Sequence, residues 1–95
     1  MQQDKHAALA ALLRETGAAH GVYEERELNG VYDQDWPDWY AAYLIEHGLG
    51  TILDRPVTTE ELSRLLKQSD EAYQQERPNV GWPDYYAQRI IAALG

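Results

Sequence analysis

The chain has 95 residues, of which 44% are hydrophobic, with 16 acidic against 8 basic side chains for a formal charge of −8. A chain of this length holds one modest core, so a single domain over residues 1–95 is expected. The acid excess leaves few Lys and Arg to displace counterions from phosphate, which argues against nucleic acid as a partner, and the lack of cysteine excludes disulfides, thiolate metal sites and a thiol nucleophile.

The first element is a helix over about Lys5–Glu27, with Leu9, Leu12, Leu13, Thr16, Ala19, His20 and Tyr23 recurring at helical spacing. Gly17 and Gly21 interrupt it, each costing about 1 kcal/mol against Ala, and imply a kink or the close approach of another helix. Asn29-Gly30 signals a turn. A second helix starts at Asp35 or Trp36, since Pro37 suits a first turn and Asp38 favours the positive end of the helix dipole. Its inward stripe is Trp36, Trp39, Tyr40, Tyr43, Leu44 and His47, and Gly48 ends it. The connector "LGTILDRPV" carries Ile52 and Leu53, so it is expected to pack over the core. Thr58 and Glu61 form a capping box for a third helix reaching Glu76, with Leu62, Leu65, Leu66, Ser69, Ala72 and Tyr73 inward. Arg77-Pro78 stops it. A fourth helix, Trp82–Leu94, turns Trp82, Tyr85, Tyr86, Ile90 and Leu94 inward.

The two halves resemble one another. Leu9, Leu12, Leu13 and Thr16 match Leu62, Leu65, Leu66 and Ser69 at one offset, and "WPDWYA" from Trp36 matches "WPDYYA" from Trp82 at a shorter one. The expected fold is therefore all-α: a small four-helix domain of two helical hairpins, about 5–49 and 58–95, related by an internal pseudo-two-fold repeat. In this reading Trp36, Trp39, Tyr40, Trp82, Tyr85 and Tyr86 are structural core, with Trp36 and Trp82 largely buried as wedges between helices.

Chemistry is sought where the halves differ. His20, Tyr23, Glu24, Tyr32, Asp33 and His47 stand in the first half without clear counterparts, and they are the candidate ligand-binding residues. His20 and Glu24, four apart, share a helix face and could present two metal ligands. The simpler expectation is that Glu24 accepts a hydrogen bond from His20 while His47 caps carbonyls at its helix end. No metal, cofactor or catalytic residue is assigned. "DQDWPDWYAAYL" places Asp38 and Leu44 where a calcium loop needs Gly and Glu, so its Asp residues read as capping groups. No glycine-rich phosphate loop and no serine–histidine–aspartate pattern is present. The expected function is a non-enzymatic interaction module that self-associates or binds a protein partner through an aromatic-rich face. The alternative is a small-molecule or metal site around His20, Tyr23 and Glu24. With neither a signal peptide nor a spanning segment read in the chain, a cytoplasmic location and no membrane partner are expected.

Overall fold

A computed structural model of the chain describes residues 4–95. Those residues form five helices and no strand: α1 Lys5–Glu27, α2 Trp36–Glu46, α3 Leu49–Leu53, α4 Thr59–Glu76 and α5 Trp82–Leu94. The four long helices match the expected ones within a residue. The fifth is a correction to the four-helix expectation. Gly48 takes φ +113, a left-handed conformation that ends α2, and the chain re-enters a helical turn at once. Leu49 and Leu53, spaced four apart, are thereby buried, which is how the connector packs over the core.

Local chemistry sets the other boundaries. Asp4 accepts the Ala7 N–H at 3.2 Å to start α1. At its end the Glu24 carbonyl accepts the Gly30 N–H at 2.8 Å, while Asn29 and Gly30 both have positive φ. Asp35 occupies the N-cap position of α2 but makes no side-chain cap bond, contrary to the capping role expected of it. The neighbouring Asp33 accepts the Asp35 N–H instead, at 2.9 Å. Asp38 reaches across to the Ser63 hydroxyl of α4. The capping box of α4 is complete, with Thr58 and Glu61 bonding each other's backbone N–H groups. Arg77 terminates α4 at φ 47.

The most extensive helix contacts join the two halves. α1 lies chiefly along α5, and α2 along α4. Leu9, Leu13, Leu44, Leu62, Leu66 and Ile90 are wholly buried between them, each adding about 1.5–3 kcal/mol of burial. Two polar side chains share that depth and are satisfied. Thr16 donates to the Leu12 carbonyl at 2.7 Å, and Ser69 accepts from Arg89 Nε at 3.2 Å. Five position pairs of the sequence repeat, Leu9 with Leu62, Leu13 with Leu66, Thr16 with Ser69, Ala41 with Ala87 and Leu44 with Ile90, are all at 0% exposure, whereas Leu12 with Leu65, Trp39 with Tyr85 and Tyr40 with Tyr86 differ in burial.

The aromatic residues divide differently from expectation. Tyr85 and Tyr86 are buried, as core residues should be, but Trp36, Trp39, Tyr40 and Trp82 are only half-buried. The indoles of Trp36 and Trp82 each turn one side to a surface cleft. Among the described residues no helix is long and apolar enough to cross a membrane.

Candidate functional site

The cleft, of about 430 Å³, opens where the ends of α1 and α4 meet the starts of α2 and α5. Its volume is that of a small-ligand pocket. Trp36 and Trp82 are the first residues of their helices, and Tyr40 and Tyr86 lie one turn further on the same faces. The four rings form a chain across both halves. Ring centres lie 5.1 Å apart for Trp36–Tyr40, 6.1 Å for Tyr40–Trp82 and 5.2 Å for Trp82–Tyr86, with interplanar angles of 75°, 57° and 62°. Steeply inclined rings make curved walls, and they pack edge against face as aromatic quadrupoles prefer.

Gly17 makes this chain possible. A Cβ at that position would stand 2.9 Å from Trp82 Cζ2, so only glycine admits the indole at its present distance, while the Tyr40 hydroxyl at 3.4 Å would be in ordinary contact. This is the close approach that the glycine implied. Gly21 has no such neighbour within 4 Å.

Two carboxylates enter the cleft from opposite long helices, Glu24 from α1 and Asp70 from α4. Asp70 accepts the Tyr86 hydroxyl at 3.0 Å and the Gln74 amide at 3.4 Å. Burial, followed by the charge and hydrogen bond of Asp70, holds the Tyr86 phenol well above its ordinary range. Tyr40 is also raised, by burial first and then by the charges of Glu24 and Asp70.

The polar cluster behind the cleft is built differently from the expected His20–Glu24 pair. His20, 7% exposed, donates from Nε2–H to Asp33 Oδ2 at 2.9 Å, with Asp33 equally sheltered. A carboxylate can only accept, which places the proton on Nε2. Glu24 instead accepts the Asp33 backbone N–H at 3.2 Å. Asp33 thus ties the α1–α2 loop to both residues, and its own N–H is the anchor that lets Glu24 reach the cleft without pairing to His20. Rings of Tyr23, Trp39 and Tyr40 enclose the imidazole at 5.9, 5.0 and 5.3 Å.

Of the six candidate residues, His20, Glu24 and Tyr32 line the cleft. Asp33 supports them from behind, and Tyr23 packs against Trp39 outside it. His47 is elsewhere: it donates from Nδ1 to the Tyr43 carbonyl at 2.9 Å and stacks on the Tyr43 ring at 3.9 Å, the helix-end role expected of it. Among the described residues no three His, Asp or Glu side chains come together to hold a metal ion. The sequence reading assigned no functional role to Asp70, Tyr73 and Gln74, which line the cleft from the second half. The offset that pairs Leu13 with Leu66 also places Gly17, His20 and Gly21 opposite Asp70, Tyr73 and Gln74, and that register was the available signal.

Comparison with known proteins finds no matching family model, and no curated protein or solved structure that matches the chain.

Proposed function

We propose that the chain is a non-enzymatic interaction module, built from a duplicated helical hairpin, which receives a side chain of a protein partner in the aromatic cleft between its halves. The observation that carries this reading is the Trp36–Tyr40–Trp82–Tyr86 chain, in which Trp36, Tyr40 and Trp82 are left half-open at the surface while Tyr86 is buried beneath them. Large rings held rigid by their neighbours lose little freedom on binding, and tryptophan and tyrosine dominate the energetics of protein contacts for that reason. Exposed Val31 and Tyr32 on one turn and Val80 on the other extend apolar surface beside the cleft, since Tyr32 lines it and Tyr73, another lining residue, donates to the Val80 carbonyl at 2.9 Å. The full burial of five repeat-paired positions in both halves supports the duplication.

The test is selection of binders from a random peptide library on the immobilised chain, each binder then mapped by NMR. Shifts centred on Trp36, Tyr40, Trp82 and Tyr86 are expected. Binders that map to other faces, or a selection that enriches nothing, would refute the reading.

A further inference from the structure

Resting on that reading, we infer that the group the cleft receives is an alkylammonium ion, supplied by a lysine side chain of the partner. Three observations converge on a cation. The walls are aromatic rings, and the negative π faces such rings carry attract a cation while their edges do not. The carboxylates Glu24 and Asp70 line the same cleft from opposite helices. No Lys or Arg lines the cleft, and its one basic side chain, His20, commits its Nε2–H to Asp33.

Other ligand classes fit less well. An anion would meet two carboxylates in a protein of net charge −8. A neutral apolar group would gain the ring contacts but desolvate two carboxylates whose only partners are neutral donors, leaving their charges uncompensated. An ammonium gains both, and its flexible methylene stem suits a cleft that opens to solvent.

The test is an NMR titration at constant ionic strength with n-butylammonium, n-butanol and n-butyrate, which share a shape and differ in charge. The indole N–H signals of Trp36 and Trp82 report on the cleft, and that of Trp39, outside it, is the internal control. Butylammonium should shift the first two and bind about tenfold more tightly than butanol, with butyrate inert. A capped peptide containing one lysine should bind at least as tightly as butylammonium, and its norleucine analogue should not. The double variant Glu24→Gln, Asp70→Asn keeps a carbonyl acceptor for the Asp33 N–H and the Tyr86 hydroxyl, so it should fold and should lose the preference for the cation. Equal binding of butanol, binding of butyrate, or a double variant as selective as the native chain would overturn the inference while leaving the cleft as an interaction face. Binding of butylammonium with refusal of the lysine peptide would overturn the protein source. Silence of both indoles towards all probes would overturn it entirely, whereas peptide binders that map to another face overturn the interaction reading independently.

Discussion

Trp82 rests directly on Gly17: a methyl group on that glycine would fall 2.9 Å from Cζ2 of the indole, inside contact distance. Alanine is ordinarily the better helix residue by about 1 kcal/mol. At position 17 that gain is opposed by displacement of Trp82 and, through it, of Tyr86 and Tyr40, and overpacking of this kind costs about 1–3 kcal/mol. Gly17→Ala should therefore destabilise the fold by about 1 kcal/mol and lower its thermal midpoint by about 4–8 °C. Gly21→Ala, with open space around it, should stabilise by about 0.5–1 kcal/mol. Urea denaturation of both variants checks the pair, and a stabilised Gly17→Ala would show that the indole is free to move aside.

Asp33 is expected to matter more for architecture than its place in a loop suggests. It accepts from His20 Nε2 and from the Asp35 N–H, and donates its own N–H to Glu24. Asp33→Ala strips two acceptors and leaves a sheltered imidazole N–H unpaired, a loss of about 2–3 kcal/mol. Asp33→Asn retains a carbonyl acceptor and should cost about 1 kcal/mol. Chemical denaturation measures both, and equal stability of the alanine and asparagine variants would mean that the bonds contribute little.

The tyrosines predict an alkaline limit to stability. Tyr86 and Tyr40 keep their protons in the folded chain above the usual phenol range near 10, chiefly through burial and then through Asp70 and, for Tyr40, Glu24. In the unfolded chain both ionise near 10. The unfolded state thus holds fewer protons above that pH, so stability is full below about 10 and falls as the pH rises further. Tyr86→Phe should flatten this decline although it removes a hydrogen bond at neutral pH. Denaturation curves across the alkaline range, read beside phenolate absorbance, test the sign. A native chain whose stability does not change above pH 10 would contradict it.

Helix positions were legible in the sequence because each boundary has a local cause: a capping box at Thr58, a proline in the first turn of α2 and α5, and a proline after Arg77. The cleft was legible only in part. His20, Glu24 and Tyr32 stand out as departures from the repeat, but Asp70 and Trp82 become site residues only when α4 and α5 are brought against the first half, and nothing local encodes that docking. The choice of Asp33 over Glu24 as the His20 partner is likewise a matter of loop closure: i,i+4 spacing made Glu24 available, and the turn at Asn29-Gly30 brought a nearer carboxylate. Helix α3 escaped because five residues carry too little periodicity to separate a helical turn from an apolar loop.

The same docking predicts how the chain assembles. α1 packs most extensively on α5 and α2 on α4, so each hairpin meets the other more extensively than it meets itself. Side-chain contacts follow the same crossing, with Asp38 of α2 bonded to Ser63 of α4 and His6 of α1 paired with Asp84 of α5 at 3.3 Å. A cut in the exposed turn at Asp54-Arg55 would separate α1–α3 from α4–α5 at little local cost, since the backbone there is at the surface. Fragments 1–54 and 55–95 should each be weakly helical alone, because isolated helices of these lengths are marginal without a partner surface. Mixed in equal amounts, they should regain helicity and unfold in one transition whose midpoint rises with concentration, as for any two-chain assembly. Circular dichroism of the separate and mixed fragments decides the matter. If fragment 1–54 alone unfolds cooperatively, the first half has a core of its own and the crossing contacts are not what holds the domain together.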